Sequence, residues 1–333
     1  MQTAKECFNQ MIRSAQSICI LGHISPDGDC AGSTLGTWNY IRNLCAESGQ
    51  EKTVQVYLEE LPAKFSYLPG YTSISHDSAE EKAYELCIVC DCADDGRLGK
   101  FVRYLKSAAH SFCADHHVTN SGFAEVCQIL PESSSTCEVI YDLMEAPYID
   151  RDVAECIYTG IVHDTGVFRY PSTSHHTMDI AGACMDHGIP FNEIIDDSFF
   201  AMNLNQKLIM GRALSGLRAY LDGKFVVSYV DAETMKSYGV TNKDMDGIID
   251  ELRTTRGAVC AVFMYQSQNR QYKVSLRSNS DALDVSRVAQ LFGGGGHRRA
   301  AGCFLSPSPE QNIEKLIAAV REQLENKTQS EAL

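Results

Sequence analysis

SICILGHISPDGDCAGS, residues 17–33, runs from an apolar stretch through a polar turn into a series of small residues. Ile18, Cys19, Ile20 and Leu21 read as a buried strand: the run is short, apolar throughout and rich in β-branched side chains. Pro26 and Gly28 supply the chemistry of a tight turn. Helical spacing sets in near residue 31 and lasts to about 46. A strand that feeds a helix through a short turn is half of a βαβ unit, and the pattern recurs along the chain. TVQVYLE (53–59), ELCIVCD (85–91) and SFCAD (111–115) read as further strands. Helical spacing lies near 97–107, 136–146 and 151–163. Such alternation implies an α/β fold with a mostly parallel sheet flanked by helices on both faces. In sheets of this kind ligands bind beyond the carboxyl ends of the strands.

The second half is organised differently. A helical pattern from Phe191 to about Leu221 is expected to link residues 1–190 to a smaller α/β domain over 222–330. In that domain KFVVSYV (224–230), GAVCAVFMY (257–265) and YKVSLRS (272–278) read as strands. SPSPEQNIEKLIAAVREQLENK (306–327) reads as a closing helix started by its Ser/Pro cluster. TQSEAL (328–333) reads as a frayed tail.

Composition narrows the function. Hydrophobic residues make up 44% and charged residues 22% of 333, as in soluble globular proteins. No apolar run approaches the roughly 20 residues of a membrane span. The N-terminus reads as an amphipathic helix rather than a secretion signal, so a cytoplasmic protein is expected. The 14 cysteines sit mostly in apolar runs, as small buried side chains in a reducing compartment do. Cys87 and Cys90 form a C-x-x-C, but within a strand and with no second pair at a zinc-binding spacing. A net charge of −14 disfavours a protein that coats long nucleic acid. Positive charge is nevertheless concentrated between Gly257 and Leu305, which hold six Lys/Arg and two acids. That stretch is expected to face an anion.

Acids and imidazoles gather where strands end. His23, Asp27 and Asp29 follow the first strand. Taken alone, Asp-Gly-Asp is equally a turn with helix-capping aspartates. Asp91 closes the third strand without an obvious capping role, whereas Asp94 and Asp95 suit the start of the helix near Arg97. Asp115, His116 and His117 follow the fourth strand, where three such groups are costly without a metal or anion to satisfy them. Asp164 ends an apolar helix ahead of a glycine turn. Together these groups would repel one another in a shared crevice unless divalent cations neutralised them. Mixed carboxylate and imidazole donors suit manganese, iron, cobalt or zinc, and carboxylate-rich sets lean to manganese.

H-x-x-P-D-G-D-x-x-G-S, a strand-end Asp, D-H-H and a downstream D-T-G resemble the DHH phosphoesterase superfamily over roughly residues 1–190. LFGGGGHRRAAG (291–302) and VSLRS (274–278) resemble the DHHA1 domain. The pairing is similar to the compact NanoRNase and phosphoadenosine-phosphate phosphatase type, and to cyclic-dinucleotide phosphodiesterases. The resemblance implies two divalent ions, Mn2+ first. His23 and Asp27 would hold one and Asp29, His116 and Asp164 the other, with Asp91 bridging them. Asp115 would orient an imidazole, and His117 would contact the scissile phosphate and help the leaving oxygen gain a proton. His163 is expected to be a buried, satisfied histidine.

In the DHHA1-like part, the glycine run with Gly294, Gly295 and Gly296 offers backbone N–H groups to an anion. His297 and Arg298 are expected to open a following helix whose dipole also favours anions. Arg277 and Ser278 would grip a further phosphate, and Arg299 is expected in solvent or in a salt bridge. The resemblance implies hydrolysis of short linear ribonucleotides such as pApA or pGpG to mononucleotides. It also extends to 3′-phosphoadenosine 5′-phosphate, with cyclic di-AMP hydrolysis or a silent nucleotide-binding module as alternatives. Family II pyrophosphatases lack the GGGH segment, and RecJ-type exonucleases are generally longer. Partners are expected to be short nucleotides, not long nucleic acid or membrane, with a homodimer open as the assembly.

Overall fold

The computed structural model describes residues 3–77, 82–267 and 269–331, apart from the side chains of 327–331. The chain divides into two compact units, Met1–Ala201 and Met202–Leu333.

The first unit opens with α1 (Ala4–Ser14), started by a reciprocal pair in which Thr3 Oγ1 accepts from Glu6 N–H and Glu6 accepts from Thr3 N–H. Six strands follow: β1 (Ser17–Leu21), β2 (Thr53–Tyr57), β3 (Ile74–Ser75), β4 (Leu86–Cys90), β5 (His110–Asp115) and β6 (Val126–Ile129). They form a parallel sheet in the order β3-β2-β1-β4-β5-β6. Between the strands and after them run α2 (Gly28–Ser48), α3 (Val102–Ser107), α4 (Thr136–Leu143), α5 (Arg151–Asp164), α6 (His175–Asp186) and α7 (Phe191–Ile195). Ile18 and Ile20 face a core shared with α1, α2, α4 and α5. Cys19 and Leu21 face the opposite core, with Leu98, Phe101 and Tyr104. Both faces of β1 are buried, so its sequence is a continuous apolar run without alternation. Each fully buried Ile or Leu contributes roughly 1.5–3 kcal/mol.

Glycines let α2 and α5 approach closely. A Cβ on Gly32 would lie 2.4 Å from the Cys156 carbonyl oxygen, and one on Gly160 would lie 2.2 Å from Cys137 Sγ and 2.8 Å from Asp29 Oδ1. The first turn of α2 is thereby pressed against α5 and α4. The helix expected over 97–107 is broken. A 3₁₀ segment, Asp95–Phe101, precedes α3, and Gly99 at φ 56° interrupts it. The periodicity spans the break because Leu98, Phe101 and Tyr104 all enter one core. The C-x-x-C lies within β4, and Cys87 and Cys90 enter opposite cores, so the two thiols cannot share a zinc ion. All 14 cysteines are free.

The second unit contains α8 (Leu204–Ser215), β7 (Arg218–Tyr220), β8 (Phe225–Val230), α9 (Ala232–Ser237), α10 (Ile248–Arg253), β9 (Cys260–Gln266), β10 (Tyr272–Ser278), α11 (Val285–Gln290), β11 (Gly295–His297), β12 (Ala300–Leu305) and α12 (Pro309–Glu331). Its sheet has the order β11-β12-β10-β9-β8-β7, parallel only between β8 and β9. Tyr272, Val274 and Leu276 pack with α11 and α12 on one face, and Phe263 and Tyr265 enter the core on the other.

Three expectations about this half are corrected. The helical stretch over 191–221 is discontinuous. After α7 comes one π-helical turn, Asp196–Phe200, then an extended Ala201. Asn203 caps a new helix there through Gln206 N–H at 2.9 Å, and residues 218–220 pair with β8 as a strand. No helix follows the glycine run: Gly295–His297 and Ala300–Leu305 form an antiparallel hairpin. The tail expected to fray from residue 328 is helical to Glu331, in a stretch without Gly or Pro to stop it, while 332–333 lie outside the described residues. Among the described residues, no helix is long and apolar enough to cross a membrane.

Candidate metal centre

Strand order reverses between β1 and β4, and this switch point opens a crevice beyond their carboxyl ends. Every residue expected to bind metal projects from this end of the sheet or from a helix beside it. His23 lies two residues past β1 and is buried. Asp91 directly follows β4, with φ 56°. Left-handed backbone at a residue other than glycine costs of order 1–3 kcal/mol and persists only where its surroundings enforce it. Here Asp91 N–H donates to the Ala114 carbonyl (3.1 Å), and Asp91 Oδ1 accepts from Thr136 Oγ1 (3.0 Å).

The donor atoms converge. His23 Nε2 lies 3.3 Å from Asp91 Oδ2 and 3.8 Å from Asp27 Oδ1. His116 Nε2 lies 3.3 Å from Asp164 Oδ2, 3.8 Å from Asp91 Oδ1 and 3.9 Å from Asp29 Oδ2. Among the described residues, three sets each bring their donor atoms within 4.8 Å of one another: His23 with Cys30 and Asp91; Asp91 with His116 and His117; and Asp29 with His116 and Asp164. Asp91 belongs to two of these sets and His116 to two.

The outer contacts aim these donors. His23 Nδ1 is 2.8 Å from the Ile24 carbonyl and His116 Nδ1 is 3.3 Å from that of Ser133, which leaves both Nε2 atoms facing the carboxylates. Asp29 accepts the Thr136 and Cys137 N–H groups at 2.6 and 2.9 Å, at the first turn of α4. Those charge-assisted bonds hold a carboxylate that is almost wholly buried. His117 Nδ1 is 2.8 Å from Asp115 Oδ1, and Asp115 Oδ2 accepts from Asn120 Nδ2 at 2.7 Å.

The electrostatics are those of a cation site. Burial, together with Asp91, Asp164 and Asp27, pushes the Asp29 carboxyl well above the usual range. Burial raises Asp164 to about 6; His116 opposes the rise, and Asp91 and Asp27 add to it. Burial disfavours charge on His23, but Asp27 and Asp91 more than offset it and raise the imidazole to about 10. The Asp115 hydrogen bond raises His117 against its burial. Carboxylates this close, with imidazoles turned toward them, fit divalent cations.

Two family models match the chain. The "DHH family, N-terminal domain" matches residues 17–161, and the "DHHA1 domain" matches residues 222–326. This chain is a DHH/DHHA1 phosphoesterase. It is 28% identical over 317 residues to the "Bifunctional oligoribonuclease and PAP phosphatase NrnA" of Thermus thermophilus, covering 92% of this chain and 90% of that one. It is likewise 28% identical to the protein of that name from Bacillus subtilis, covering 87% and 89%. Among solved structures it is similar to an exopolyphosphatase-related protein from Bacteroides fragilis, with a TM-score of 0.84 and 25% identity over 96% of this chain and 95% of that one.

Two features of this DHH phosphoesterase, the place of Cys30 and the partners of His163, were not legible in its motifs. Cys30 shares a donor set with His23 and Asp91, and burial pushes its thiol well above the usual range. Asp27, expected beside them, also caps α2: its Oδ1 accepts Asp29 and Cys30 N–H, each at 3.1 Å. His163 is half-buried, and desolvation holds it down to about 3. Its Nε2 is 2.9 Å from Ser198 Oγ, and its ring packs between Phe65 and Phe199. The same ring lies under the metal turn, where a Cβ on Gly28 would be 2.3 Å from His163 Cγ.

Within the DHHA1 domain the residues expected to bind substrate separate. Arg277 is partly exposed at the end of β10, with its Nε 3.6 Å from Asp250 Oδ1. Ser278 Oγ is buried and lies 2.9 Å from both the Ser280 and Leu283 carbonyls, so it holds a turn. The glycine run is largely structural. Gly293 and Gly294 N–H donate to Gln290 and Ala289, at the end of α11. A Cβ on Gly294 would lie 2.1 Å from the Gly302 oxygen, and Gly296, at φ 142°, packs on Ala301. Gly295 has open space on its Cα, and His297 is exposed. Arg298 donates to the Asp281 carbonyl at 2.6 Å, and Arg299 pairs with the Asp281 carboxylate at 2.8 Å.

Proposed function

We propose that this phosphoesterase cleaves short linear ribonucleotides, such as the dinucleotides pApA and pGpG, to mononucleotides, and that it also hydrolyses 3′-phosphoadenosine 5′-phosphate. The observation that carries the reading is the position of Asp91, common to the donor set around His23 and the donor set around His116. The relatives' activities, oligoribonuclease and PAP phosphatase, support the substrate class.

His23, Asp27, Asp29, Asp91, His116 and Asp164 would hold two divalent cations, Mn2+ first, with Asp91 between them. When bound, the cations supply Lewis acidity toward the phosphoryl oxygens and the attacking water. The protein groups do the rest. Asp115 fixes the His117 ring through Nδ1 and favours its protonated form, so His117 presents a proton at Nε2 to the scissile phosphate and the leaving ester oxygen. General acid catalysis of this kind contributes about 10²–10⁴-fold. Asp29 is immobilised by two backbone N–H groups and needs no reorganisation. In the DHHA1 domain Arg277, Gly295, Gly296, His297 and Arg298 are the contacts for the substrate's phosphates. Ser278 and Gly294 shape that surface from behind.

A substrate panel after chelation and reloading with Mn2+ or Mg2+, resolved by product chromatography, tests the reading. Release of mononucleotides from pApA or pGpG, faster with Mn2+, is the expected result. Hydrolysis of cyclic di-AMP in preference to the linear dinucleotides would replace this substrate class. Binding without turnover of any of them would make the chain a silent nucleotide-binding module.

A further inference from the structure

Successive residues of β10 point to opposite faces of the second sheet. Tyr272, Val274 and Leu276 enter the core beneath α11 and α12, which leaves Lys273, Ser275 and Arg277 on the other face. The register extends that face into three rows across β9, β10 and β12: Ala261–Arg277–Ala300, Phe263–Ser275–Gly302 and Tyr265–Lys273–Phe304. Arg277, at one end, pairs with Asp250 of α10. At the other end Phe304 is 54% exposed. It borders a groove of about 670 Å³ lined also by Tyr265, Lys273, Gln271, Asn242 and Lys243, with Asp246 as its one carboxylate. Lys273 Nζ lies 5.6 Å from the centre of the Tyr265 ring.

We propose that this end of the sheet is a nucleotide-binding platform. Phe304 stacks a base, and Lys273 and Lys243 draw in the adjoining phosphate of an oligoribonucleotide longer than a dinucleotide. A ring left in water forfeits roughly 1.5–3 kcal/mol of burial, and it shares its groove here with the Lys273 and Lys243 ammonium groups, the Gln271 and Asn242 amides and the Tyr265 ring. That surround suits a base, which offers a π face beside a charged backbone; base–aromatic stacking contributes about 1–3 kcal/mol per base. Lys273 and Arg277 are four residues apart on β10, or about 13 Å at the rise of an extended strand. The platform therefore serves a nucleotide further along the substrate than the one at Arg277. This inference deepens the oligoribonucleotide reading and rests on it for the choice of ligand.

The test is fluorescence anisotropy of fluorescein-labelled pentaadenylate with the full-length protein in excess chelator, where binding is read without hydrolysis. Phe304→Leu, which keeps an apolar strand residue, is expected to weaken binding about 5- to 100-fold, and Phe304→Trp to restore it. The ratio of kcat/KM for pentamer to that for dimer should fall by a similar factor in Phe304→Leu. Equal binding by wild type and Phe304→Leu overturns the platform and leaves the hydrolytic reading intact, as does wild-type protein that hydrolyses pApA but does not bind the pentamer. Phe304-dependent binding by a protein that hydrolyses none of the panel keeps the platform and removes the oligoribonuclease reading.

Discussion

Asp91 combines a left-handed backbone with a carboxylate common to two donor sets. Both properties limit what can replace it. Asparagine tolerates the same backbone and has nearly the same shape, so Asp91→Asn isolates the charge. We expect kcat to fall by on the order of 10³-fold, calorimetric Mn2+ uptake to drop from two ions to at most one, and the circular dichroism to stay unchanged. Two bound ions in that variant would contradict the bridging role. Gly28 probes the metal turn from its other side. An added methyl would meet the His163 ring at 2.3 Å, and overpacking of this kind typically costs about 1–3 kcal/mol. Gly28→Ala should therefore lower the denaturant midpoint and weaken Mn2+ binding, and His163→Ala in the same chain should recover part of both. Additive effects of the two substitutions would show that the contact carries no energy. The placement of Asp91 was legible because a buried strand ends on it. The place of His163 was not, because its partners Gly28, Phe65, Phe199 and Ser198 come from distant parts of the chain.

At the scale of elements, the strands of the first unit were readable because burial on both faces leaves runs such as SICIL and LCIVC without polar interruption. The short edge strands β3 and β6 were not, since VCQI is only partly buried and Ile74–Ser75 has two residues. The glycine run was misread at its far end. Glycines ahead of His and Arg suggested a loop opening a helix, yet their lack of side chains lets β11 lie against the backbone of β12. Two substitutions separate these uses. Gly294→Ala places a methyl 2.1 Å from the Gly302 oxygen and should lower the melting temperature by several degrees. Gly295→Ala meets nothing within 4 Å, so its stability should be unchanged, while KM for dinucleotides rises if this backbone approaches a phosphate. A Gly294→Ala protein that melts like wild type would refute the close packing of the hairpin.

For the whole molecule, an overall charge of −14 comes with three buried or half-buried carboxylates, Asp29, Asp91 and Asp164, gathered at one crevice. The Asp29 and Asp164 carboxyls are both raised in the fold. A carboxyl whose pKa is higher folded than unfolded binds more protons in the native state, so stability falls as pH rises between the two values. For Asp164 that window runs from its ordinary 3.8 to about 6. The chelated protein should lose stability across it. Cations compete with those protons and bind more tightly as pH rises. The rise in melting temperature on adding Mn2+ to chelated protein should therefore be larger at pH 7.5 than at pH 5. A rise of equal size at both would mean that these carboxyls do not carry the metal.

The donors begin at His23 and end at Asp164: His23, Asp27 and Asp29 follow β1, Asp91 follows β4, His116 follows β5 and Asp164 ends α5, and parallel pairing puts a crossover between these strands. Long-range pairing of this sort is slow to assemble. A ribosome must release Asp164 and the α5 that carries it before the full coordination shell can exist. Until then a nascent chain can offer an ion only scattered carboxylates and imidazoles, so the full donor set forms only after about half of the 333 residues have been made.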